Sequence, residues 1–284
     1  MGRRGVNRQT AVANRPNCLN FNVMENNADQ KLAMLIDADN VPPTRIKAML
    51  EEITKYGTPT FKRIYGDWTS SRMSAWKPVL LPYAITPIQQ YSYTTGKNAT
   101  DSALIIDAMD ILYSGKVSGF CIVSSDSDFT RLATRLREAG MTVYGMGEKK
   151  TPLPFISACD KFIYIEILEA PAPEEEKPAS AVSTVTKRKT TPTPIAPKPM
   201  SIITPGLVKL VKDSINDLAG DDGWVFLGNL GILLIKKQPD FDSRNYGYKK
   251  LTYLIKSMPD LEIQERKGRD SDALMVFVRL KESA

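Results

Sequence analysis

The chain has 284 residues, 42% of them apolar, enough for more than one core at about 100–200 residues per domain. Lys and Arg number 38 against 32 Asp and Glu, and this net charge of +6 permits a polyanionic partner without requiring one. With no histidine in the sequence, a histidine general base, a His-activated Ser or Cys nucleophile and a histidine-ligated zinc are excluded, leaving carboxylates, Lys, Tyr, Ser or a bound ion to do chemistry.

Residues 1–30 are rich in Arg and Asn and carry no apolar core of a secretory signal, so they read as a disordered tail. Ordered patterning begins only at Lys31, which makes Met24 a candidate true start. KLAMLID is then a wholly apolar run, the pattern of a parallel strand covered on both faces. VPPTRIKAMLEEITKYG predicts a helix opened by prolines and stopped by Gly57. TPTFKRIYG predicts a second strand, TSSRMSAWKPVLLPYA a helix interrupted near Pro78, and ITPIQQYS a third strand. ATDSALIIDAMDILYSG is a patterned helix ended by Gly115. GFCIVSS, DFTRLATRLREAG and MTVYGMG continue as strand, helix and strand, and a short helix around Phe155 leads into KFIYIEIL. Strands alternating with helices over residues 31–169 predict a three-layer α/β sandwich around a mostly parallel sheet.

Residues 170–203 are dominated by Pro, Ala, Thr and charge and read as a linker. The unit at 204–284 opens with a capped amphipathic helix, TPGLVKLVKDSINDLAG. WVFLGNLGILLIKKQP follows as a second helix, DSRNYGYKKLTYLIKSMP as a third, and two strands flank a polar turn at 267–271. Helices followed by a β-hairpin are the pattern of a winged helix-turn-helix. No apolar run reaches the roughly 18 residues a membrane helix needs. Cys18, Cys121 and Cys159 are odd in number and lack CxxC spacing, which fits a reducing, cytoplasmic setting with Cys121 and Cys159 as core fillers.

Asp37, Asp39 and Asn40 close the first strand, and Asp126 and Asp128 close the fourth. Asp101 lies in the first turn of the helix after GKNATD. Ligands of a doubly wound sheet gather at the carboxyl ends of its strands, where the strand order reverses. With the order 3-2-1-4-5, these acidic ends meet in one cleft. Such a cluster needs a cation, and oxygen-only ligands suit Mg²⁺ or Mn²⁺ and metal-assisted hydrolysis of a phosphodiester. Asp is also a frequent helix cap, a role open to Asp128 and Asp101. Asp107, six residues after Asp101, is equally suited to orienting a site residue, pairing with a cation or facing solvent. Lys97, just before Asp101, is equally suited to meeting a phosphate and to a solvated loop. In the second unit Arg244, Tyr246, Tyr248, Lys249 and Lys250 offer a basic, aromatic surface for nucleic acid, against a plain reading as solvated charge and core tyrosine.

LIDADN, KNATDSALIIDAMD and IVSSDSDFTRLATRLREAGMTVYGMG, in that order, resemble the NYN (LabA-like) branch of the PIN-like nucleases. The resemblance implies a metal-dependent ribonuclease fold, with Asp37, Asp101, Asp126 and Asp128 at the family's acidic positions and Asn40 and Asp107 at accompanying ones; Asp39, beside Asp37 in LIDADN, is taken as a supporting residue. WVFLGNLGILLIKKQPDFDSRNYGYKKLTYLIKSMPDLEI resembles a LOTUS (OST-HTH) domain, which implies RNA or protein partners in RNA metabolism. The pairing resembles that of limkain-type ribonucleases and many bacterial homologues. Two other readings stay open: a non-catalytic RNA-binding module, and a haloacid-dehalogenase-like phosphatase, for which Val41 stands where Thr is wanted and Asp101 is idle.

Overall fold

The structure, a computed structural model, describes residues 30–91, 99–168, 203–267 and 274–281. The N-terminal tail, Lys97, the linker and the turn between the last two strands lie outside the described residues.

Lys31 to Leu168 fold into β1 (Lys31–Asp37), α1 (Ile46–Ile53), β2 (Thr58–Gly66), α2 (Lys77–Leu80), β3 (Thr86–Gln89), α3 (Ala99–Ser114), β4 (Gly119–Val123), α4 (Thr130–Glu138), β5 (Thr142–Gly147), α5 (Leu153–Ala158) and β6 (Lys161–Tyr164). The strands form one parallel sheet in the order β3-β2-β1-β4-β5-β6. This is the PIN-like α/β sandwich, with β1 and β4 adjacent at the reversal of strand order as the sequence predicts.

The uninterrupted apolar run of β1 follows from burial on both faces. Leu32, Met34 and Ile36 enter a core with Met49, Ile53 and Trp76, while Ala33 and Leu35 enter the opposite core with Leu104, Phe120 and Phe129. All five are fully buried, and each large one contributes about 1.5–3 kcal/mol relative to exposure. Cys121 and Cys159 are buried free thiols within these cores, as expected. Pro78 does not interrupt a helix. The segment begins as a 3₁₀ turn at Ser71–Ala75 capped by Ser70, and Pro78 lies in the first turn of α2, where its missing N–H costs nothing.

The C-terminal unit contains α6 (Pro205–Leu218), β7 (Val225–Phe226), α7 (Leu227–Lys237), α8 (Leu251–Lys256), β8 (Leu261–Lys267) and β9 (Leu274–Leu280), its antiparallel strands ordered β7-β9-β8. Thr204 caps α6 by accepting the Leu207 N–H at 3.2 Å. The third predicted helix is divided. Ser243–Tyr246 is a 3₁₀ turn capped by Asp242, and Gly247 at φ 83° ends it, so α8 starts only at Leu251. A left-handed residue stops a helix because the next amide no longer points along its axis.

Contacts join the two units. The Phe162 N–H of β6 donates to the Pro239 carbonyl at 2.8 Å, and the Tyr164 hydroxyl to Asp240 Oδ2 at 2.7 Å. Arg244 donates to Glu52 on α1. Among the described residues no helix is long and apolar enough to cross a membrane.

Candidate metal centre

The carboxyl ends of β1 and β4 and the start of α3 meet at one edge of the sheet. Asp101, Asp126 and Asp128 each present a carboxylate oxygen there, the three within 4.8 Å of one another. Asp101 comes from the first turn of α3, whose apolar residues Leu104, Ala108 and Ile111 seat it on the sheet. Asp126 and Asp128 come from the short turn that carries the chain from β4 into α4, anchored by buried Phe129. Burial, followed by the negative charges of Asp37, Asp126, Asp128 and Asp39, pushes the Asp101 carboxyl up to about 6. Carboxylates this close repel one another unless a proton or a cation intervenes. An all-oxygen set of this kind fits Mg²⁺ or Mn²⁺.

Asp37 lies beside this group, close enough for its charge to act on Asp101. The side chain is only 1% exposed. Its Oδ2 accepts from Asn40 Nδ2 at 2.6 Å and Ser124 Oγ at 2.9 Å, and its Oδ1 from the Asp39 N–H at 3.2 Å. Burial raises its pKa against these bonds, which favour the charged form. Asp37 therefore organises the floor of the site, while Asp39 stands outside it, exposed, with Arg72 at 3.7 Å. Asn40 is a partner of Asp37. Asp126, rather than Asp128, takes the capping role, accepting the Asp128 N–H at 3.0 Å.

Ser124 is the residue that sequence reading missed. Fully buried at the end of β4, it donates to Asp37 and accepts the Asp126 N–H at 3.1 Å, tying the two acidic strand ends together. The signal was the Ser124–Ser125 doublet between an apolar strand and Asp126. Asp107 points away from the cluster and accepts from Arg63 and Tyr65 of β2, fixing α3 against the sheet.

The basic surface predicted around Arg244 is only partly assembled. Arg244 is held in ion pairs with Glu52 and Asp242, which occupy the guanidinium that was expected to meet RNA. Tyr246 is half-buried with its ring 6.2 Å from that of Phe241. Lys249 and Lys250 remain exposed just before α8.

Family models match this chain as an NYN domain over residues 31–166 and an OST-HTH/LOTUS domain over residues 200–271. The chain carries an NYN domain followed by a LOTUS domain. No curated protein matches it. Among solved structures it is similar to a protein of unknown function from Vibrio parahaemolyticus, at 20% identity and TM-score 0.41, covering 48% of this chain and 93% of that one. An uncharacterized protein from Nitrosomonas europaea matches at 36% identity and TM-score 0.28, covering 35% of this chain and 95% of that one. A protein from Chromobacterium violaceum matches at 32% identity and TM-score 0.24, covering 28% and 83%. The NYN domain brings a PIN-like nuclease relationship, and the LOTUS domain one with RNA binding.

Proposed function

We propose that the NYN domain is a metal-dependent ribonuclease and that the LOTUS domain binds RNA or a protein partner in RNA metabolism. The observation that carries this reading is the convergence of Asp101, Asp126 and Asp128 beside buried Asp37 at the open edge of the sheet. The three converging carboxylates hold the ion, Mg²⁺ or Mn²⁺. Such an ion supplies positive charge to the phosphodiester oxygens and makes an attacking water more acidic. Asp37 stands beside them as a further carboxylate for the same ion. A carboxylate offers about four acceptor sites, and the bonds from Asn40, Ser124 and the Asp39 amide leave one open. Those three bonds orient it, and through Ser124 it fixes the backbone from which Asp126 projects. Two buried free thiols, Cys121 and Cys159, fit work in the reducing cytoplasm.

The phosphatase reading loses support on one point. A nucleophilic aspartate needs an accessible oxygen, and Asp37 is buried with both oxygens engaged. The test is cleavage of a mixed single-stranded and structured RNA pool by wild type and Asp126→Asn, with Mn²⁺, Mg²⁺ or EDTA. We expect cleavage that requires metal and disappears in the variant. Metal-independent RNA binding without cleavage turns the reading into that of a binding module, and equal cleavage by both proteins removes the site assignment.

A further inference from the structure

Arg72 is set at the rim of the carboxylate cluster by neighbours on either side of it in sequence. Ser70 caps its 3₁₀ turn by accepting the Arg72 N–H at 3.3 Å. Buried Met73 packs on the end of β2, where a Cβ at Gly66 would meet its sulfur at 2.9 Å. Buried Trp76 donates from Nε1 to the Ala38 carbonyl at 3.3 Å. The turn therefore rests on the residue between Asp37 and Asp39. The Arg72 side chain is 74% exposed, and its Nη1 lies 3.7 Å from Asp39 Oδ1, beyond hydrogen-bond length. Among the described residues, no hydrogen bond occupies its guanidinium. So exposed and loose a pair contributes little to stability, and the fold gains little from an arginine here.

Charge balance at this edge gives such a residue a use. Asp37, Asp39, Asp101, Asp126 and Asp128 gather there, and one divalent ion offsets only two of their negative charges. A phosphate approaching that ion still meets repulsion, which a cation of the chain beside it relieves. Asp67, the acid that precedes the turn, has its Oδ1 engaged by the Thr69 N–H and hydroxyl and by Gln89 Nε2, so it serves to fix the loop. On the other side of the cluster Lys150 is already paired with Glu148 at 2.5 Å. Lys149 is exposed there, after β5, and carries a single ammonium without a planar fork. We propose that Arg72 receives the RNA phosphate at the metal centre, leaving Asp39 to donate two parallel bonds to phosphate oxygens. The proposal rests on the ribonuclease reading above and adds the side chain of the chain that touches the substrate.

The test uses the full chain and a labelled single-stranded hexanucleotide RNA, with cleavage in Mn²⁺ followed across a salt series. Arg72→Ala should raise KM by about tenfold or more while kcat changes by less than about threefold. The slope of log kcat/KM against log salt should fall in magnitude by about 0.7, the share of one phosphate contact. Arg72→Lys should keep the slope and recover only part of KM, because an ammonium keeps the charge without the fork. Lys77→Ala, which removes an exposed charge of the same sign five residues away, should match wild type. The Mn²⁺ affinity and melting temperature of Arg72→Ala should not fall. Wild-type KM and slope in Arg72→Ala overturn the proposal. So does an equal loss in Lys77→Ala, which makes the effect one of net charge, or weakened Mn²⁺ binding, which makes Arg72 a support for Asp39. If wild type cleaves the RNA with neither Mn²⁺ nor Mg²⁺, the ribonuclease reading fails, and binding of the same RNA in Ca²⁺, another ion of oxygen ligands, judges Arg72 separately. There Arg72→Ala should weaken affinity by about tenfold or more, and equal affinity, or no binding by wild type, overturns the phosphate contact.

Discussion

Arg244 of the LOTUS domain grips Glu52 of the NYN domain with both terminal guanidinium nitrogens, at 3.0 and 2.7 Å, across 192 residues of sequence. Glu52 is 3% exposed. A carboxylate so buried is tolerated only when its lone pairs are filled, and here Lys55 and Tyr56 donate beside Arg244. Asp242 accepts from the other edge of the same guanidinium. The second domain is thus latched onto the end of α1 and the β6 edge, away from the carboxylate cluster.

Arg244→Ala should cost about 2–3 kcal/mol, the lower part of the range for stranding a buried charge, because Lys55 remains on Glu52. Denaturant unfolding measures it, and small-angle scattering should show the domains separating. A loss below about 0.5 kcal/mol, as for an ordinary surface change, rules out the latch.

Acid should loosen the same contact. Burial pushes the Glu52 carboxyl up, but the bonds from Arg244 and Lys55 outweigh it and bring it to about 2, below its ordinary value of 4.5. The unfolded chain therefore takes up this proton first as pH falls. The stabilisation is complete above 4.5 and is lost as pH drops from there towards 2. Glu52→Gln should remove this part of the acid dependence, seen as a flatter curve of unfolding free energy over that window. Parallel curves for the two proteins refute the assignment.

Ser124→Ala removes one bond to buried Asp37 and the acceptor of the Asp126 amide. We expect a loss of about 1–3 kcal/mol in stability, the cost of unsatisfied buried groups. Cleavage or Mn²⁺ affinity should fall by about 10–100-fold, as when partners of metal ligands are removed. Thermal unfolding and Mn²⁺ titration read the two effects separately, and unaltered metal affinity with lowered stability reduces Ser124 to a structural role.

Gly147 ends β5 directly beside this serine. A Cβ there meets the Ser124 carbonyl oxygen at 2.5 Å and Thr151 Oγ1 at 2.7 Å. The first is backbone and cannot swing aside, so Gly147→Ala should destabilise by about 1–3 kcal/mol and shift the strand end that carries Asp126. Reduced Mn²⁺ affinity in a protein that is still folded at the assay temperature is the expected result. Wild-type affinity and stability contradict the close contact.

Much of the site was legible because its logic is local. LIDADN and IVSSDSDF are apolar runs ending in carboxylates, and a parallel sheet brings such ends together at the reversal between β1 and β4. The bond that ties the two acidic strand ends together was not legible, because it joins Asp37 to Ser124, 87 residues away. Arg244 misled for the same reason. Its basic, tyrosine-rich setting resembles a nucleic-acid surface, and its partner lies in another domain. The break at Gly247 was visible as a glycine, but helical spacing on either side concealed that it takes a left-handed conformation.

The bond from Phe162 to Pro239 also bears on how the protein can be divided for study. β6 is the last strand of its sheet, and an outermost strand with open amides is a template for pairing with another chain. In the intact chain a loop of the C-terminal domain takes one of those amides. An isolated N-terminal fragment exposes that rim, so any self-association it shows follows from the cut, and a loss of activity in such a fragment does not by itself measure RNA binding by the domain removed.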